Sequence, residues 1–390
     1  VSVTASVGFA ASGTAVGLKS SGDLDVAVVQ NLGPLFSAAA VFTTNQCKAN
    51  PVLWSEKAIS DGVIAAVVLN AGGANCFTGG QGFQTAHATA EAVAEALAVS
   101  AVDVLVCSTG LIGERLDAGL VTTGATRAAE ALSEPAARGA VGGDAAAAAI
   151  MTTDTTAKQA VHRSPSGWAI GGMAKGAGML APGLATMLVV ITTDAVCLSS
   201  ELDSALRRAT RITFERLDSD GCMSTNDTVA LLCSGASGIE PDGDEFLAGL
   251  VAVCRDLTRQ LQSDAEGASH DIAIRVLGAK TEQDGVEVAR AVARSALLKT
   301  AIFGNDPNWG RILAAVGTTT VVFDPSLIDV VINGVRVCRK GEIGEPRNLV
   351  DLSPREVTID IDLHVGEQTA TVWTNDLTDR YVHENSAYSS

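Results

Sequence analysis

Thr186 stands where a glycine- and proline-rich stretch gives way to an apolar run. Residues 171–193 read GGMAKGAGMLAPGLATMLVVITT. Gly171, Gly172, Gly176 and Gly178, with Lys175 among them, read as a loop whose backbone can approach another group closely, because glycine lacks a Cβ. Pro182 and Gly183 punctuate it. From Met187 to Ile191 the chain is apolar and ends in Thr192 and Thr193, the pattern of a buried strand. A threonine hydroxyl is a weak nucleophile and needs a base. Cutting the Ala185–Thr186 bond would give Thr186 a free α-amine. Such an amine has an ordinary pKa of roughly 7.7–8.0, so a useful share is neutral near pH 7 and can take the hydroxyl proton. One residue would then hold both nucleophile and base. The plainer reading of the same residues is a buried strand that begins with threonine.

Other segments carry chemistry only in company. VDVLVC, residues 102–107, reads as a strand, and Ser108, Thr109 and Gly110 follow it. A hydroxyl and a backbone N–H at a strand end are the parts of an oxyanion hole, or else an ordinary turn. Thr152-Thr153-Asp154 after an alanine-rich helical stretch, 143–151, is the pattern of a cap or turn. Glu266, in SDAEG, reads as a solvated loop carboxylate. The polar stretch DSDGCMSTNDT, 218–228, reads as a loop without an assigned role. The C-terminal ENSAYSS reads as a frayed tail.

The elements that must position these residues follow from periodicity. Strands are expected at Val26–Val29, Ala38–Phe42, 63–69, Trp168–Ile170, Val229–Cys233 and 271–278, and helices at 84–98, 199–217, 244–262 and 283–299. From residue 326 onward short strands alternate with turns: Ile328–Ile332, an Asn333-Gly334 hairpin turn, Val335–Cys338, Thr358–Leu363 and Thr369–Thr374. FGNDPNWGRI, 303–312, reads as a rigid turn with Trp309 packed and Arg311 paired. At 390 residues, two domains are expected. The change of pattern puts residues 1–278 in a larger domain and 279–390 in a smaller one.

Composition narrows the function. A net charge of −17 argues against nucleic acid or an anionic membrane as partner. No stretch of about eighteen apolar residues occurs, so no membrane span is expected. VSVTASVGFAASG lacks the basic start and apolar stretch of a signal peptide. The eight cysteines are scattered singly, without a C-x-x-C pair, and read as reduced residues of a cytoplasmic protein. The five histidines are equally dispersed, so neither a metal nor a cofactor is expected. The glycines after strand 63–69 lack the G-x-G-x-x-G pattern of a dinucleotide site.

KGAGMLAPGLATML resembles the autoprocessing signature of the ornithine acetyltransferase family, the glutamate N-acetyltransferases of arginine biosynthesis. CSTGLIG is similar to that family's oxyanion-hole motif, and matching segments run from about Val106 to Ser390. The resemblance implies an α/β fold, an αββα sandwich with a second, smaller α/β domain. It implies self-cleavage between Ala185 and Thr186, after which Thr186 is the nucleophile and Thr109 with Gly110 form the oxyanion hole. It places Thr152, Lys175, Thr186, Glu266, Asn385 and Ser390 in contact with substrate, the C-terminal tail folding back to the active site. Lys175 then suits a substrate carboxylate and Glu266 an ammonium. The activity implied moves an acetyl group from N2-acetylornithine to L-glutamate through an acetyl-threonine, with acetyl-CoA as an open second donor. The family forms heterotetramers of two cleaved α/β pairs. An N-terminal-nucleophile amidohydrolase or aminopeptidase would use the same threonine with water as acceptor, and an uncleaved binding protein would use none of it.

Overall fold

A computed structural model describes residues 2–180 and 187–387. Ala185, Thr186 and Ser390 lie outside the described residues. The chain forms two compact units. The first holds Val1–Ala177, Gly183–Glu215 and Met223–Leu261; the second holds Gly178–Pro182, Arg216–Cys222 and Gln262–Ser390.

In chain order the first unit contains β1 (Phe9–Thr14), β2 (Val26–Asn31), β3 (Ser37–Phe42), α1 (Asn50–Ala58), β4 (Ala66–Ala71), α2 (Gly79–Leu97), β5 (Val104–Thr109), α3 (Ala118–Ala131), α4 (Ala140–Ala149), β6 (Lys158–Arg163), β7 (Ala169–Lys175), β8 (Leu188–Thr193), α5 (Ser199–Arg211), β9 (Thr228–Cys233) and most of α6 (Gly243–Ser263). Its strands form two sheets, ordered β1-β2-β4-β5 and β3-β9-β8-β7-β6. The period of two along each strand decides what faces what. Phe9, Val29, Leu69 and Leu105 of one sheet share a core with Met173, Leu188, Val190 and Leu232 of the other. The alternate residues Val26, Val28, Val68 and Val106 face outward onto Ala86, Ala90 and Val93 of α2 and Ala125 and Ala128 of α3. On the far side α6 lays Val253 and Leu257 against Gly172 of β7. The result is helix, sheet, sheet, helix.

The second unit contains β10 (Asp271–Ala279), α7 (Glu282–Ala293), α8 (Ala296–Phe303), α9 (Trp309–Val316), β11 (Asp329–Ile332), β12 (Val335–Arg339), β13 (Glu342–Ile343), β14 (Glu356–Asp362), β15 (Gln368–Asn375) and α10 (Asp379–Ala387). Its sheet runs β13-β12-β11-β14-β10-β15. Ile272, Ile274 and Val276 of β10, with Val357, Ile359 and Ile361 of β14, face Val288, Ala289 and Val292 of α7 in one core. The Asn333-Gly334 turn forms as expected, with φ of 44° and 84°.

Several expectations are corrected. The C-terminal part of the second unit runs from Gln262 rather than from 279, with β10 hydrogen-bonded between β14 and β15, and the unit also takes in Gly178–Pro182 and Arg216–Cys222. Gly171, Gly172 and Lys175 lie in β7 rather than in a loop; a Cβ at Gly171 would come within 2.2 Å of the Ser2 carbonyl, so the glycine serves close packing. The helix expected at 283–299 is two helices, because the Ser295 side chain accepts from the Leu298 N–H and caps a new one. Trp309 opens α9 instead of closing a turn, and packs on the core of the second unit. Arg311 donates to the Leu297 carbonyl. Of the eight cysteines, Cys47 and Cys222 are exposed and the rest buried, all free.

Candidate active site

β5 is buried along its whole length and ends at Thr109. Gly110 follows with φ +129°, where a Cβ would lie 2.5 Å from the Gly73 nitrogen, so only glycine fits. The Gly73 N–H donates to the Thr109 carbonyl at 2.9 Å and the Ala74 N–H to the Leu111 carbonyl at 2.9 Å. These bonds clamp the turn against the loop after β4. Among the described residues the Gly110 N–H has no hydrogen-bond partner. Ser108 Oγ donates to Asn70 Oδ1 at 2.6 Å and ties the two strand ends together.

Lys175, the last residue of β7, is buried beside this turn. Its Nζ donates to Thr152 Oγ1 at 2.6 Å and to Thr109 Oγ1 at 3.4 Å. The structure therefore brings three expected site residues, Thr109, Thr152 and Lys175, together at one ammonium. Behind them is Asp154. Its Oδ1 accepts from Lys158 Nζ at 2.6 Å and from the Gly176 N–H at 2.7 Å. Its Oδ2 accepts from the Thr152 N–H at 3.0 Å and lies 3.7 Å from Lys175 Nζ. Burial pushes the Asp154 carboxyl up, but Lys175, Lys158 and the Gly176 amide outweigh burial and hold it well below the usual carboxylate range.

The residue after Thr186 is also anchored. The Met187 N–H donates to Asp227 Oδ1 at 3.1 Å. Asp227 is fully buried, and its Oδ2 has no hydrogen-bond partner among the described residues. Burial raises this carboxyl well above its ordinary range; the Met187 amide, Ser224, Lys175 and Thr43 offset only part of that. Next to it, Asn226 Nδ2 donates to the Ala74 carbonyl at 2.6 Å and the Ser108 carbonyl at 2.8 Å.

In the second unit, Glu266 packs on Gly178: a Cβ there would lie 2.6 Å from both of its carboxylate oxygens. Asn385 Nδ2 donates to Glu266 Oε2 at 2.9 Å. The tail is thus α10 through Ala387 rather than a frayed end. The Met179 N–H donates to Asp220 Oδ2 at 2.7 Å.

A family model described as the ArgJ family matches residues 10–390. The chain belongs to the ArgJ family. The arginine biosynthesis bifunctional protein ArgJ of Streptomyces avermitilis is 59% identical over 390 residues, covering 100% of both chains. The protein of the same name from Mycobacterium leprae is 52% identical over 394 residues, covering 100% of this chain and 96% of its own. Among solved structures, ornithine acetyltransferase complexed with ornithine from Mycobacterium tuberculosis shares 49% identity, covers 48% of this chain and 96% of its own, and has a TM-score of 0.45.

For this ArgJ-family chain, sequence reasoning missed Asp154, Lys158, Asp220, Asn226 and Asp227. The signal was present in DSDGCMSTNDT. That stretch supplies Asp220 to the amide of residue 179 and Asp227 to the amide of residue 187, so two carboxylates anchor the chain on either side of 181–186. The described residues hold no group of three or more His, Cys, Asp or Glu side chains able to bind a metal, and no helix long and apolar enough to cross a membrane.

Proposed function

We propose that this ArgJ-family enzyme of arginine biosynthesis cleaves itself between Ala185 and Thr186 and then transfers an acetyl group from N2-acetylornithine to L-glutamate. The observation that carries the reading is the placement of the Thr109 hydroxyl next to the Gly110 N–H, which has no partner among the described residues, at the end of β5 and beside the Lys175 ammonium. The Thr186 hydroxyl attacks the acetyl carbonyl while its α-amine takes the proton. The tetrahedral oxyanion accepts from Thr109 and Gly110. The C–N bond breaks, the amine returns the proton to the departing nitrogen, and ornithine leaves. The glutamate amine then attacks the acetyl-threonine ester, and the threonine hydroxyl is restored.

Thr152 and Lys175 are proposed contacts for the substrate's polar groups. Glu266, Asn385 and Ser390 are proposed as further substrate contacts, with Glu266 meeting an ammonium. The name bifunctional, carried by relatives identical at more than half of all positions, supports acetyl-CoA as a second donor. A cytoplasmic enzyme built of two cleaved pairs completes the proposal. Native mass measurement checks the assembly.

Mass spectrometry of fragment 186–390 after mixing with acetylornithine alone tests the chemistry. One added acetyl group at Thr186 is expected, removed by glutamate to give N-acetylglutamate. A label elsewhere, or one lost equally fast in water without glutamate, replaces the transferase with a hydrolase. Thr186→Ala should stay whole on a denaturing gel.

A further inference from the structure

We infer that Asp154 is a positioning residue for the oxyanion hole, acting through the Lys175 ammonium on the direction of the Thr109 hydroxyl. The inference rests on the acetyl-transfer reading above and adds a residue to it. A threonine hydroxyl both donates and accepts, and it rotates to suit its neighbours. An ammonium only donates. While Lys175 is charged, it can meet Thr109 only at an oxygen lone pair, as it does at 3.4 Å. The Thr109 proton must then point away from Nζ, and it is kept for the oxyanion. A neutral Lys175 amine has a lone pair of its own. The Thr109 O–H could then turn into Nζ, and the oxyanion would lose that donor. The same ammonium sits 2.6 Å from Thr152 Oγ1, so it fixes both threonines at once.

Keeping a buried lysine charged needs a carboxylate, because burial disfavours the ammonium. Asp154 is that carboxylate, at 3.7 Å, and it is itself almost wholly buried. Among the described residues, further charged and titratable neighbours come from the surrounding elements. Lys158 of β6 bonds to the other Asp154 oxygen. Asp227, just before β9, is electrostatically coupled to Lys175. Lys19, from the loop after β1, is coupled to both Asp154 and Lys175 while it donates to the Leu24 and Ala149 carbonyls. Of these, Asp154 is the group that accepts bonds from Lys158, Gly176 and Thr152 while facing Lys175, so its removal disturbs the ammonium most.

The test is the ratio of variant to wild-type kcat across pH for Asp154→Asn. The ratio cancels the titration of the Thr186 amine. It should fall by about 10²-fold, the order expected when one oxyanion donor is lost, as rising pH strips the proton from the unsupported Lys175. It should recover toward acid, and KM should rise on the alkaline limb, because a neutral Lys175 also weakens the proposed contact to a substrate carboxylate. In a Thr109→Ala background the same substitution should add almost nothing to the loss in kcat, because it acts through that hydroxyl. If Asp154→Asn does not accumulate folded, Asp154→Asn with Lys158→Met removes one charge of each sign and reads the same limb. A ratio flat with pH, or losses that add in the Thr109→Ala background, overturns the inference. So does a folded variant that stays uncleaved at every pH, since it would assign the network to processing. A wild-type protein that transfers no acetyl group would instead bring down the functional reading itself.

Discussion

Asp154 and Asp227 are both buried in the first unit, and they are held in opposite ways. Asp154 accepts two backbone N–H groups and a lysine and faces a second lysine. Asp227 accepts the amide of Met187 and keeps its other oxygen without a partner among the described residues. The balance of the same forces therefore reverses. Around Asp154 cations outweigh the cost of burial, and the carboxyl stays ionised. Around Asp227 burial wins, and the carboxyl favours its proton. A site can thus hold one carboxyl whose surroundings favour its charge and secure its lysines, and one whose surroundings favour its proton, beside the residue that follows Thr186. Residue type gives no hint of the difference, which depends on what each oxygen meets.

The largest effect should come from breaking the ionised side. Asp154→Asn leaves Lys158 and Lys175 buried without their carboxylate, a loss on the order of 3–5 kcal/mol for a disrupted buried pair. Chemical unfolding at pH 7 measures it, and adding Lys158→Met should restore part. The acid side sharpens the point. The folded carboxyl sits below its unfolded value, so its contribution is present above about pH 4 and is lost as pH falls through the lower folded value. The wild type should show that loss and Asp154→Asn should not.

Asp227→Asn should give the opposite slope. The folded carboxyl of Asp227 is raised, so its contribution is fully present below the unfolded value of about 4 and is lost as pH rises toward the folded one. Across that window the variant, which cannot ionise, should gain on the wild type by up to about 1.4 kcal/mol per pH unit. Thermal unfolding of both proteins from pH 4 to 8 reads the difference. A gap that stays constant with pH would mean that Asp227 is ionised in the folded protein and that the two acids are alike after all.

What the sequence made legible follows the range of the interactions. The Asn333-Gly334 hairpin depends on two adjacent residues, and the turn formed as read. The alternation in β10 and β14 was equally plain, but their parallel pairing joins segments more than seventy residues apart, so the assignment of β10 to the second unit was not. Gly171 and Gly172 suggested a loop because local pattern shows their freedom. Their purpose is room for Ser2 on one side and for α6 on the other. Thr109, Thr152 and Lys175 were named from the family resemblance, and the structure gathers them at one ammonium. Asp154 was passed over because Thr-Thr-Asp after a helix resembles a cap, and its second lysine arrives from β7, twenty-one residues on. Helices α1 and α3 were missed as well. α3, AGLVTTGATRAAEA, mixes glycine and threonine into its alanines, and its start is fixed by Asp117, whose side chain accepts from the Leu120 N–H.

Asn226 offers the smallest perturbation and a third way to hold a buried polar side chain. Unlike its neighbour Asp227, it spends its amide on two backbone carbonyls, those of Ala74 and Ser108. Those carbonyls belong to the two chain segments that clamp the Thr109–Gly110 turn. Asn226→Ala should therefore do two things. It should cost about 1–3 kcal/mol in chemical unfolding, because the carbonyls lose a donor where water is scarce. It should also lower kcat more than it raises KM, since the Gly110 N–H and Thr109 hydroxyl would no longer be held as the proposed oxyanion hole requires. Unlike the Asp227→Asn difference, the loss should not vary with pH, because no titrating group is exchanged. A pH-dependent loss would mean that the substitution acts through Asp227, and that the two adjacent residues work together.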